Sequence, residues 1–328
     1  MKIFEDCNKS YKIRTVLEQH IQKMEIRFIY CLLIFCLSLV VGTGCTTRET
    51  SNPVTPENNA EVVLENYRLT EDETWGPAKT YIVNNTLEVP QGVTLNIPPG
   101  TTVKFGRNAL ITVKGILKIG TPLAEEQVTQ LVHLTSDNIG PASSDWNGIF
   151  FDHTHGLESF IRGAVIEYAT IALDVKTTSP TIAECTFRLN ETAIALDGSD
   201  AHVRYNDIVD NNIGISTIGR QTLPRIEKNN IAKNETGIFC ENVQSTIQHN
   251  NLNANVFALR LNVKFDLIVA NNWWGSTDPV EIIKVIIDGG DPGLITKQIG
   301  TVTYEPFADA RIADAGFPYT TLLAELAK

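Results

Sequence analysis

The chain has 328 residues, 43% of them hydrophobic and 20% charged, with a formal net charge of −11. That composition excludes a fibrous or disordered polymer and fits a folded, water-soluble body. Residues 1–44 carry six Lys or Arg against four Asp or Glu, so the remainder holds −13, which argues against nucleic acid or a long acidic polysaccharide as partner.

In chain order, residues 1–45 read as a targeting segment. Phe28–Val41 is an apolar run of 14 residues, too short to span a bilayer comfortably and the right length for a signal-peptide core. Gly42-Thr43-Gly44-Cys45 follows it. Small residues ending in Cys resemble a bacterial lipoprotein cleavage site, although Gly42 stands where Leu is usual. The resemblance implies a lipid on Cys45 and a protein held on a membrane of the bacterial cell envelope. Translation from Met1 or from Met24 is equally compatible with the sequence. Residues 46–78 are expected to be a flexible tether and an N-terminal cap, because the stretch to Ala60 is polar, holds two prolines and has no periodicity.

From residue 79 to 275 the chain reads as one repeat. Apolar and polar residues alternate from Thr80 to Ile119, broken by turn signals at Pro98-Pro99-Gly100 and Gly115. Beyond Pro180 the repeat is explicit. Rows cut at Pro180, Ala201, Pro224, Ser245 and Asp266 align Ile182, Val203, Ile226, Ile247 and Ile268 in one column. Phe187, Ile208, Ile231, Leu252 and Trp273 align in another. Two asparagine columns run alongside, Asn190–Asn211–Asn234–Asn255 and Asn206–Asn229–Asn250–Asn271, and are expected to ladder at left-handed turns. An aliphatic column, Ile149, Ile171, Ile194, Ile215, Ile238 and Leu259, advances by 22, 23, 21, 23 and 21 residues. A period in this range marks a solenoid, and apolar pairs two residues apart mark its segments as strands.

These rows resemble the repeats of the carbohydrate-binding and sugar-hydrolase β-helix superfamily, with its pectin-lyase-like fold and its non-enzymatic NosD-like branch. Asn271–Gly275, NNWWG, is similar to the run that closes such helices in envelope proteins. The fold class implied is all-β: a right-handed parallel β-helix of three sheets and about eight or nine coils. Residues 276–328 are expected to form a short helical C-terminal cap, with Asp278 and Pro279 opening a helix. Trp273 and Trp274 are expected to plug the core. Cys185 and Cys240 lie in different columns more than two coils apart, which excludes a disulfide between them.

The chemistry is sparse. Asp152, Asp174 and Asp197 each follow an inward isoleucine by three residues, so strand alternation predicts an outward acidic column. Such a column serves as acid and base on a sugar or holds Ca²⁺; the bland reading is that each Asp caps the following turn. Trp146, His153, His155 and Glu241 are further ligand-binding candidates. Phe150 and Phe239 are also outward, and an exposed ring stacks on sugars. No metal site and no cofactor is expected apart from that Ca²⁺ alternative. Paired-aspartate and Gly-His-Gly hydrolase motifs are absent, as is the arginine motif of the pectate lyases. The reading is therefore a monomeric, envelope-anchored β-helix that binds carbohydrate or another envelope component without catalysis. The alternatives are a polysaccharide hydrolase or lyase using the acidic column, and a periplasmic maturation or assembly factor.

Overall fold

The computed structural model describes residues 60–154, 158–219, 223–241, 245–292, 294 and 298–326. The chain divides into two compact units, Met1–Pro56 and Glu57–Lys328, and every described residue belongs to the second. The expected signal segment, Cys45 and His155 lie outside the described residues.

Short strands, most of three to eight residues, follow one another through tight bends. Each strand pairs in parallel with its counterparts one coil before and one coil after, giving a β-solenoid of about nine turns. A long strand, Lys79–Val89, opens two of the sheets. Its first half pairs with Thr102–Phe105, and that sheet, the first, continues to Asn230–Ala232. Its second half pairs with Leu110–Val113, and that sheet, the second, continues to Ile286–Ile287. The third sheet runs from Glu73–Thr74 to Thr246–Gln248. A strand at Ala60–Arg68 pairs with Lys79–Val89, so the coils start inside the stretch expected to be tether and cap.

The interior is a stack of aliphatic side chains. In the second sheet Ile111, Ile149, Leu173, Ile194, Ile215, Ile238 and Leu259 face inward, each at most 1% exposed. One member of the expected column is therefore wrong: Ile171 is half-buried and Leu173 takes its place. The cause is a bulge. Ile171 pairs with Gly148 while Leu173 pairs with the very next residue, Ile149. Gly148 has φ +117°, and a Cβ there would lie 1.6 Å from the Ile171 carbonyl oxygen, so only glycine admits the approach.

Both asparagine columns form ladders. Asn190, Asn211 and Asn234 each donate from Nδ2 to Oδ1 of the asparagine one coil on, at 3.0 Å. In the second column Asn206, Asn229 and Asn250 do the same, but the last partner is Asn272 and not Asn271. The left-handed bend also falls one residue earlier than expected. Glu184, Tyr205, Lys228, His249 and Asn271 hold φ between 52° and 62°, and a ladder asparagine follows each of the last four. The ladder offsets that strain, because most of its amides also tie down the backbone carbonyl two residues behind, as Asn229 does at Glu227.

The last row is shifted by one residue. Val269 is buried where Ile268 was expected, and Ile268 is 68% exposed. Trp274 is buried and meets the edge of Tyr304, while Trp273 is only half-buried, so one tryptophan rather than two plugs the end. Beyond it lies a short helix, α1 (Pro279–Ile283), whose N-cap Asp278 accepts from the Val280 amide at 2.9 Å. A second, α2 (Thr320–Leu326), ends the described chain. Cys185 and Cys240 are buried free thiols, pushed by burial to about 12 and about 11.

Candidate functional site

The outer faces of the first two sheets differ in what lies on them. Over the first sheet runs the segment that follows Tyr304. Ile312 exchanges two hydrogen bonds with the Asn251 side chain, at 2.9 and 3.0 Å. The Gly316 amide donates to the Lys228 carbonyl at 3.0 Å, and the Phe317 amide donates to Asp207 Oδ1 at 3.1 Å. The Phe317 ring is buried against Val128, Leu131 and Val165. Burial beneath this strap raises the Asp207 carboxyl above its ordinary range.

Beside the strap, on the same face, Glu167 is 4% exposed. It accepts from Thr135 Oγ1 and Arg188 Nε at 2.8 and 2.7 Å, and pairs with His133 Nε2 at 2.8 Å. Burial alone would raise its pKa, but the bonds from His133 and Arg188 outweigh burial and hold it at about 2.

The second sheet shows a row of side chains to solvent. The bulge at Ile171 rearranges the expected acidic column. Asp152 and Asp197 both pair with Lys176, which stands between them, so the column runs negative, positive, negative. Lys176 Nζ lies 3.7 Å from Asp197 Oδ2 and 5.8 Å from the centre of the Phe150 ring. Asp174 belongs to the neighbouring outward column instead, between Phe150 and Ala195. That column continues through Ser216 to Phe239 and Arg260, so the two phenylalanines share one line.

Turn capping does not describe these aspartates. None of the three accepts a backbone N–H among the described residues. Asp152 Oδ1 pairs with His153 Nδ1 at 2.6 Å and Asp197 pairs with Lys176. Asp174 is half-buried and has no hydrogen-bond partner among the described residues. Burial raises its pKa; Lys176 opposes the shift and Asp197 adds to it. An open groove of about 390 Å³ runs over this region, lined by Leu110, Asn147, Phe150, Thr170, Asp174 and Lys176. It offers an aromatic face, an acceptor without a donor, an amide and an ammonium, the mixture that receives a hydroxyl-rich ring.

The remaining candidates divide. Trp146 is not available to a ligand: it is fully buried, stacks on Phe105 with centroids 3.8 Å apart, and donates from Nε1 to the Glu167 carbonyl at 2.9 Å. Strand alternation turns it inward two positions before Gly148. His153 is exposed at the end of its strand, with φ 54°. Glu241 follows Cys240 at the distal end of the face and accepts from Asn262 Nδ2 at 3.0 Å. Sequence reading passed over Asn147 and Lys176. The signal for Lys176 was its place two residues after Asp174, on the same side of the strand. Among the described residues no group of three or more His, Cys, Asp or Glu side chains is arranged to hold a metal ion.

The fold defines the molecule as a parallel β-helix whose second sheet has an open outer face. Comparison with known families agrees: residues 133–273 match the right handed beta helix region family. No curated protein and no solved structure is similar enough to the chain to count as a match.

Proposed function

We propose that this β-helix is a binding protein of the bacterial cell envelope and takes a neutral saccharide on the outer face of its second sheet. The observation that carries the reading is the groove at Phe150 and Asp174. A half-exposed ring and a half-buried carboxylate with no donor among the described residues stand there on the open face of the sheet. Leaving an acceptor unpaired in a half-dry site is unfavourable unless something supplies the donor, and sugar hydroxyls are donors. The acidic balance of the face favours an uncharged chain over a uronate polymer. A glycan screen on a chain starting at Thr46, which keeps the whole unit Glu57–Lys328, tests it. Neutral oligosaccharides are expected to bind and oligogalacturonates are not; the reverse order would defeat the proposal.

Attachment through a lipid on Cys45 belongs to the same proposal and is supported by the apolar run and small residues before it. Cys45→Ser is expected to move the protein from the membrane to the soluble fraction, or to leave it unprocessed. Wild-type fractionation of that variant would remove the anchor from the account.

The enzymatic reading retains one observation, the raised pKa of Asp174, which suits an acid or base. The register weakens it, because Lys176 separates Asp152 from Asp197. Release of reducing sugar from a bound oligosaccharide, abolished in Asp174→Asn, would establish hydrolysis in place of simple binding.

A further inference from the structure

A second hollow, of about 370 Å³, opens at the bend between the first and second sheets. It is lined by Tyr168, Leu189, Glu191, Asp210, Asn212 and Ala142. The two hollows share no lining residue, but Tyr168 stands two residues before Thr170, which lines the groove, so they border one stretch of chain about 7 Å apart along it. The Tyr168 ring is half-buried, and it packs against the core. Its hydroxyl has no hydrogen-bond partner among the described residues. Leu189 next to it on the following coil is 39% exposed. Glu191 and Asn212, held to each other through Asn212 Nδ2, set carboxylate and amide groups along the rim. The composition repeats that of the groove: one aromatic face, one apolar neighbour, and acceptors at the edge.

We propose that Tyr168 forms a second sugar subsite, continuous with the one at Phe150, so that a linear neutral saccharide lies obliquely across the strands and not along the solenoid axis. The inference rests on the saccharide-binding reading of the second sheet. Its direction follows from register. Phe150 lies on one coil, Asp174 and Tyr168 on the next, Glu191 on the one after, and Asn212 one further. Asp174 and Tyr168 are six residues apart, up to about 20 Å of extended chain, a span beyond a disaccharide and within a hexasaccharide. Carboxylates along the whole path accept hydroxyl donors and repel acidic sugars. A β-linked glucan chain, flat and uncharged, presents its ring faces to Phe150 and Tyr168 and its equatorial hydroxyls to Asp174 and Glu191.

Calorimetric titration of cellobiose and cellohexaose against the wild type, Phe150→Ala, Tyr168→Ala and Tyr168→Phe tests this, with a thermal melt on each variant to establish that it is folded. Tyr168→Ala is expected to weaken cellohexaose about tenfold and leave cellobiose unchanged. Tyr168→Phe keeps the ring and is expected to retain most of the hexasaccharide affinity. Phe150→Ala is expected to weaken both sugars. If Tyr168→Ala binds both as the wild type does, or weakens both equally, the second subsite is overturned while the groove at Phe150 stands. If Phe150→Ala changes neither titration, or neither sugar binds the wild type, the binding face itself is misassigned and the subsite falls with it.

Discussion

Two carboxylates on neighbouring faces of this solenoid illustrate opposite uses of a half-dry site. Glu167, on the first sheet, is almost completely buried and receives three donors, from His133, Thr135 and Arg188. Asp174, on the second, is half-buried and receives none among the described residues. Both pay desolvation, yet Glu167 is driven down to about 2 and Asp174 is raised. Burial alone therefore does not set the sign; the presence of donors does. The closed face shows a carboxylate finished by its own chain. The open face shows one without a donor among the described residues.

The largest expected effect tests the closed side. Glu167→Gln removes an ionised group whose folded pKa lies below the ordinary 4.5, so its stabilisation is complete above that value and fades as pH falls toward about 2. The shift corresponds to roughly 3 kcal/mol at neutral pH. Chemical denaturation at pH 7 is expected to show most of that loss, and the gap to wild type is expected to narrow below pH about 4.5. A gap independent of pH would mean that packing, not charge, is what Glu167 supplies.

The smaller effect tests the open side and has the opposite sign. Because the folded pKa of Asp174 is raised, its ionisation costs stability. That cost is absent at pH below the ordinary carboxylate range and complete above the raised folded value. Asp174→Asn is expected to melt slightly higher than wild type at pH 7 and equally at pH about 3, while losing oligosaccharide affinity. A lower melting temperature at pH 7 would show that Asp174 has a structural partner, and the contrast with Glu167 would disappear.

Much of this architecture is legible in the repeat. The columns Ile182–Ile247, Asn190–Asn255 and Asn206–Asn250 stand where spacing puts them, because each row repeats the same inward and outward alternation and a single rung enforces it on the next. Reading failed where two registers satisfy the same pattern. Ile171 and Leu173 are both apolar and two apart, so either completes the aliphatic column on paper; the 22- and 23-residue steps on either side of Ile171 hide the bulge. The same ambiguity moved the final asparagine from Asn272 to Asn271. Trp146 was misread for a related reason: an aromatic near two histidines suggests a ligand face, but its position in the strand turns it into the core.

By itself, then, the sequence determined the solenoid, its interior and its laddered bends, since these rest on contacts between residues one row apart and are restated in every row. Tertiary structure alone decided which face the C-terminal strap covers. The Phe317 amide meets Asp207 across 110 residues, and no periodicity announces a contact made once. It also decided the register at Gly148, where the absence of a Cβ lets one strand close on the Ile171 carbonyl, placing Lys176 between two aspartates and Asp174 beside Phe150, without a donor among the described residues.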